Sequence, residues 1–443
     1  MDKPAFCETF DQPHPGGNGG EIDETRWAFA RHNGPFNRKE STSYYRIEGQ
    51  TGQFDTYSNP DGPPTMCGKE FSGVWPPDDV KVCNGQLNEV HDGSGLAINS
   101  FMARQPFDFT NRTGTIVFDV DAKRNDGWDG HGWWLEVWIT EDPAPIPYHG
   151  APFVESYPRN GFGFQIAPMD AFDDVRINQL GRFVTTKDFR IVRDDVFDEY
   201  NNASSFRVKD TVMNRFKVLI SQDSIEVFST DYDKPDELVW RARSKGLNLP
   251  FTVGYVHFQH VHYNAAKTPN CDCEGQGPSG CNGRCAMYPQ GFHASQTQAY
   301  RWDNIGFDGP VYPMTQGHDL PMNTDTPTID GEKQVVYGYR INEGGNPEPK
   351  TLQVTNIDPT NAKRASLNIS FTGYPGDTIR YRLNGKAQRE WKVPDDRGWD
   401  PIAVLRAFSL DVPVADLVPG TNTVELSNVV DTGYVGNMDI SVQ

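Results

Sequence analysis

The 443-residue chain has almost no helical periodicity, no long apolar run and too few basic residues to balance its acids. Each shortage excludes something. Apolar residues seldom recur every three to four positions, which argues against an all-α fold. No stretch approaches the roughly 20 apolar residues of a spanning helix, so no membrane span is expected. Lys and Arg number 41 against 60 Asp and Glu, a formal charge of −19. A surface of that sign repels phosphate backbones and excludes nucleic acid as a partner; neutral or cationic polymers and calcium stay compatible with it. The P-loop, the dinucleotide fingerprint, G-x-S-x-G and H-E-x-x-H are all missing. The opening MDKPAFCETF is not a signal peptide, which leaves a cytosolic protein or one whose signal was replaced by an initiator Met.

What is present is turn chemistry and aromatics. Gly (42) and Pro (33) are abundant and aromatics reach 12%, a composition for an ordered, loop-rich architecture. Strand patterns recur in TGTIVFDVDA, GWWLEVWIT, GFGFQIAP, FTVGYVHFQHVHY and AYRWDNIGFDG. RFKVLISQDSIEVFST reads as a hairpin, two alternating runs around the polar turn SQDS. Only DPIAVLRAF, 400–408, reads as a short helix. After WDNIGFDGPVYP the chain turns rich in Pro, Thr and Asp, which sets a first unit at 1–313, a linker at 314–333 and a second all-β unit at 334–443 with the strand count of a small sandwich.

Seven cysteines occur, four of them in the loop CDCEGQGPSGCNGRC, 271–285. Disulfides would order such a loop; a four-thiolate zinc site is the competing reading, although C-x-C-x7-C-x3-C is not a standard zinc spacing. Cys67 and Cys83 offer a further pair, which leaves Cys7 over. Sequons stand at Asn111, Asn202 and Asn368.

The densest chemistry lies in DGWDGHGWWLEVWITEDP, 126–143. On a strand, Leu135, Val137 and Ile139 form a core face, and Trp134, Glu136 and Trp138 form the other, expected to be open. The inverse would bury an unpaired Glu136 carboxylate. His131 precedes this strand in an acid-rich loop. YVHFQHVHYN adds Tyr255, His257 and Gln259 on one face and His260 and His262 on the other; a single bulge would gather the three histidines into a metal site or a proton relay, against the plainer reading of polar packing.

GTIVFDVDA, FKVLISQDSIEVFS and the closing YRWDNIGFDGP resemble the concanavalin A-like lectin/glucanase jelly rolls over about residues 5–312. LVPGTNTVELSNV in the last unit loosely resembles galactose-binding-like sandwiches. The resemblance implies an all-β fold: a concanavalin A-like jelly-roll sandwich followed by a smaller β-sandwich. It also implies a concave sheet that binds a polysaccharide or glycan. Trp134, Trp138, His131, Tyr255, His257, Gln259 and His262 are then the substrate-binding candidates, since aromatic rings stack on sugars and carboxylates accept from their hydroxyls.

Laminarinase-like members carry E-x-D-x-x-E. Here EVWITE supplies Glu136 and Glu141 but has Trp138 where the Asp belongs. A retaining pair needs carboxyls roughly 5–5.5 Å apart, and a bulge would be required to bring these two to one face. Glu136, Glu141 and His260 are the catalytic candidates, the last because it stands beside Gln259, loosely like the Gln and His of alginate-lyase-like enzymes. The superfamily's structural calcium, between first and last strands, points to Asp303, with Glu8 and Asp11. Three readings stay open: a secreted carbohydrate-binding protein, a glycoside hydrolase or polysaccharide lyase, and a structural or adhesive surface protein.

Overall fold

A computed structural model of the chain describes residues 4–11, 23, 25–33, 46–47, 65–66, 69–70, 79–83, 86–91, 95–121, 133–143, 154–157, 160–168, 174–185, 188–195, 199–200, 205–207, 213–231, 233–264, 298–314, 324–325, 328–329, 332–337, 339–341, 349–373, 378–392, 404–428 and 433–443. The 271–285 loop, His131, Asn202 and Cys67 lie outside these residues, so the disulfide and zinc expectations fall there too. Among the described residues strands dominate, and one short 3-10 turn, Val414–Asp416, is the helical element.

The alternating segments form two antiparallel sheets. One runs, in spatial order, Glu199–Tyr200, Lys234–Lys245, Ser224–Asp231, Asn214–Ile220, Gly114–Asp121, Gln298–Asp308, Gln86–His91, Asp79–Cys83. The closing strand Gln298–Asp308 sits mid-sheet and also pairs with the opening strand Pro4–Glu8. The second sheet runs Asp188–Asp195, Asp174–Thr185, Asn160–Pro168, Trp133–Thr140, Val253–Asn264, Gly95–Ala103, Trp27–Asn33. The expected hairpin joins Asn214–Ile220 to Ser224–Asp231, with the Ser221 amide donating to the Ser224 carbonyl at 2.9 Å.

Between the sheets lies an aromatic core. Trp302 of the first sheet sits 5.4 Å from Phe258 of the second and 5.8 Å from Phe118, ring centre to ring centre. Phe118 and Phe216 stack at 5.0 Å. Trp27, Phe101, Leu135, Val137 and Ile139 complete this layer, all buried. Two antiparallel sheets around one core, closed by a strand that meets the chain's start, are a jelly-roll sandwich.

A second, separate core gathers Leu352, Val354, Leu367, Ile369, Leu383, Val424, Met438 and Ile440. It lies between a sheet ordered Val154–Tyr157, Val404–Val412, Ala365–Gly373, Gly433–Val442, Tyr339–Ile341 and another ordered Lys350–Ile357, Gly420–Asn428, Thr378–Leu383, Arg389–Lys392. The helix expected at 400–408 is corrected where it is described: Val404–Val412 is a strand. Its neighbours decide the matter, since Ala365–Gly373 pairs along its whole length and Val154–Tyr157 pairs on the other side, and a ladder on both edges outweighs local helix preference.

Val154–Tyr157 belongs by sequence to the first sandwich, yet it pairs in parallel with Val404–Val412 of the second. Side chains add to this weld. Arg104 meets Asp439 at 3.2 Å, with both side chains almost fully buried. The Gln443 side-chain amide donates to the Tyr255 hydroxyl. The Ser409 hydroxyl, which donates to Asn368 at 2.7 Å, lies 3.5 Å from the Pro143 carbonyl, and Arg364 lies 3.8 Å from Asp142. In the segment expected as a linker, Thr324–Asp325 and Thr328–Ile329 pair with Glu332–Tyr337, which also pairs with Arg46–Ile47.

Candidate functional site

Strand Trp133–Thr140 lies mid-sheet between Asn160–Pro168 and Val253–Asn264. Neither ladder carries a register shift: Leu135 to Thr140 pair with Ile166 to Gly161, and Trp133 to Thr140 pair with His262 to Tyr255. Leu135, Val137 and Ile139 join the inter-sheet core, as the alternation requires. Glu136, Trp138 and Thr140 therefore face away from it. The open face expected at Glu136 and Trp138 is nevertheless closed there, because Glu136 is 0% exposed and Trp138 1%.

The neighbouring strand explains how an indole fits. The Trp138 ring lies against Gly161, its Cε3 and Cζ3 3.5 and 3.6 Å from where a Cβ would stand. At Gly163, opposite Trp138, a Cβ would meet the Val137 carbonyl at 2.0 Å and the Trp138 Cα at 2.9 Å. Only glycine tolerates that approach. The GFGF stretch is thus the mould for Trp138.

Glu136 is the hub of the buried layer. The Trp138 indole N–H donates to its Oε2 at 2.7 Å, the Gln259 side-chain amide donates to the same oxygen at 3.0 Å, and the Gln165 amide donates to Oε1 at 3.3 Å. A carboxylate buried beneath three neutral donors is compensated by hydrogen bonds. The buried Glu136 therefore has partners, which the sequence argument against burying it did not foresee.

One turn of the pleat further, the Thr140 hydroxyl donates to the Asp142 carbonyl at 2.5 Å. That uses its single proton. The 2.7 Å contact between Thr140 Oγ1 and His257 Nε2 then requires the ring N–H to donate, which fixes the neutral Nε2–H tautomer. His257 is fully buried, and burial holds its pKa down at about 3. Tyr255 and Gln259 share its face and are buried as well.

Glu141 lies just past the strand, half-buried. It accepts from the Asn160 side-chain amide at 2.6 Å, and its own amide donates to the Asn160 carbonyl at 2.9 Å. The bulge needed to bring Glu136 and Glu141 to one face is absent from the ladders through Thr140. The bulge needed to gather the histidines is absent too: Val253–Asn264 pairs in regular register from His257 to Asn264, so the backbone positions of His260 and His262 alternate with that of His257. Trp134 holds the next position of Glu136's parity, paired with Val261.

The acids expected to hold calcium separate into different partnerships. Glu8 is buried against Arg26 at 2.7 Å. Asp119 takes a two-pronged contact from Arg215, at 2.8 and 2.7 Å, and the Asn304 side-chain amide at 2.8 Å. Asp303, opposite Asp119 in the ladder, is pushed up to about 6, first by burial and then by the like charges of Asp11 and Asp119. Arg215 already supplies positive charge here. Among the described residues no three His, Cys, Asp or Glu side chains come together as metal ligands. Asp303 and Asp11 are two carboxylates where calcium takes six to eight oxygens, so the described side chains alone do not complete such a site.

No family model matches the chain, and no curated protein matches it. Solved structures do resemble it. An endo-1,3-β-glucanase from Streptomyces sioyaensis is 11% identical, with 70% of this chain and 97% of that one covered and a TM-score of 0.36. A laminarinase from Flavobacterium sp. UMI-01 is 11% identical, covering 69% and 100%, with a TM-score of 0.34. The VIP36 exoplasmic/lumenal domain is 12% identical, covering 54% and 85%, with a TM-score of 0.30. Glucanases and lectins thus stand side by side. At these identities and scores nothing about activity passes to this chain, and the fold itself rests on the strand order and the shared core.

Sequence reasoning missed Gln165, Thr140 and the Arg104–Asp439 pair. Gln165 was legible: it continues the Gly161, Gly163 alternation in GFGFQIAP. Arg104 and Asp439, 335 residues apart, carry no local signal.

Proposed function

We propose that this chain is a secreted carbohydrate-recognising protein whose second sheet binds a polysaccharide or glycan without cleaving it. The observation that carries this reading is the state of Glu136. Its carboxylate is engaged by Trp138, Gln259 and Gln165, and among the described residues the regular ladder brings no second carboxylate to its face. A retaining pair needs two carboxyls converging on one bond. The Glu136–Trp138–His257 layer then supports the binding surface from beneath. Ligand contact falls to the next position of the same parity along the strand, Trp134. A structural calcium ion at Asp303 belongs to the proposal only with further oxygens from backbone or from residues beyond those described.

The test is a panel of neutral polysaccharides, scored for binding and for release of reducing ends. Binding without turnover, weakened by Trp134→Ala, is the expected result. Turnover abolished by Glu136→Gln with binding retained would establish the hydrolase instead. For the ion, chelator should lower the melting temperature and calcium restore it; no change leaves Arg215 as the counter-charge.

A further inference from the structure

Among the described residues, three buried polar groups on the covered face of the second sheet have no partner: His257 Nδ1, Gln259 Oε1 and Ser100 Oγ. They are neighbours. Gln259 stands directly opposite Ser100 in the ladder, and His257 is two residues along on the same face, opposite Met102. Directly opposed residues hold their Cβ atoms about 5 Å apart. All three side chains are at most 1% exposed.

Their chemistry is uniform. Thr140 spends its proton on the Asp142 carbonyl, so His257 donates through Nε2 and its Nδ1 is a bare lone pair. Burial keeps the ring from protonating, so Nδ1 stays an acceptor at neutral pH. Gln259 spends its amide on Glu136, so its Oε1 is an acceptor as well. Ser100 can give or accept. Two acceptors and a hydroxyl on adjacent strands call for a small neutral donor, and buried polar groups rarely go unmatched. A cation finds no carboxylate among the three.

We propose that His257, Gln259 and Ser100 form a subsite for O–H donors on this sheet. Water is its resting occupant, since it enters a covered site without displacing protein. A sugar hydroxyl has the same chemistry and is the second source of such a donor. That second source rests on the carbohydrate reading above; the first does not.

The test uses the full-length protein labelled with ¹⁵N at histidine. The expected spectrum has His257 as the Nε2–H tautomer, with Nδ1 shifted from the value of a free acceptor towards that of a hydrogen-bonded one, and water cross-peaks near Gln259 and Ser100. Addition of a neutral oligosaccharide divides the sources. A further Nδ1 shift with loss of the water cross-peak identifies a sugar hydroxyl; an unchanged spectrum identifies water alone, and both support the subsite. Ser100→Ala, which removes little volume, should lower the melting temperature and weaken the water cross-peaks. A protonated Nδ1, or a free-acceptor shift with no water signal and no loss of melting temperature in Ser100→Ala, overturns the proposal.

Discussion

Asp439→Ala tests the weld between the sandwiches. The Asp439 carboxylate faces the Arg104 guanidinium at 3.2 Å, with side chains 4% and 1% exposed. Arg104 is anchored separately, its Nε donating to the Trp27 carbonyl at 3.1 Å, so it cannot swing out to water without losing that bond as well. Removing one member of a buried pair strands the other charge, which typically costs about 3–5 kcal/mol. At roughly 2–4 °C per kcal/mol for domains of about 150–250 residues, the melting temperature should fall by roughly 6–20 °C. Scanning calorimetry reads the shift, and urea titration reads the free energy. The double variant Arg104→Met, Asp439→Leu keeps the volume and removes both charges, so it should recover most of the loss. A single variant within 1 kcal/mol of the wild type, or a double variant worse than the single, would refute the reasoning.

Other outcomes follow from the buried layer and the acids. Leu135→Ala and Val137→Ala should each lose about 1–4 kcal/mol by urea titration, as residues of the inter-sheet core. Trp138→Ala should lose about 3–5 kcal/mol, because the ring is buried and its N–H holds Glu136. Gly163→Ala should destabilise the same strand pair, since a Cβ meets backbone there. His257, depressed to about 3 from 6.5, adds stability that is fully present above 6.5 and is lost as pH falls towards 3. Asp303 has the opposite sign: raised from 3.8 to about 6, it weakens the fold as pH rises through that interval, and Asp303→Asn should flatten this part of a stability profile.

The sandwich was legible because strand alternation is local. Leu135, Val137 and Ile139 announce a core face by spacing alone, and the SQDS turn announces its hairpin. Burial of the opposite face was not legible. Its cover includes contacts such as Gln443 on Tyr255, made by residues far away in the chain, and no pattern within Trp133–Thr140 encodes them. The catalytic expectation failed to find its bulge for a related reason: the spacing of Glu136 and Glu141 is compatible with a bulged or a regular strand, and the ladder partners chose the regular one. The 404–408 segment misled because helix preference is local while the ladders on both its edges are not.

The strand exchange at Val154–Tyr157 has a consequence during synthesis. This segment leaves the ribosome about 250 residues before Val404–Val412, the strand it pairs with. Throughout that interval its edge has no sheet to join. The second sandwich, in turn, cannot complete its five-stranded sheet from its own residues. Folding order is therefore imposed by connectivity: the first sandwich must present 154–157 before the second can close. A terminal module moved onto another protein would leave that place in its sheet vacant, with an unpaired edge open to other chains.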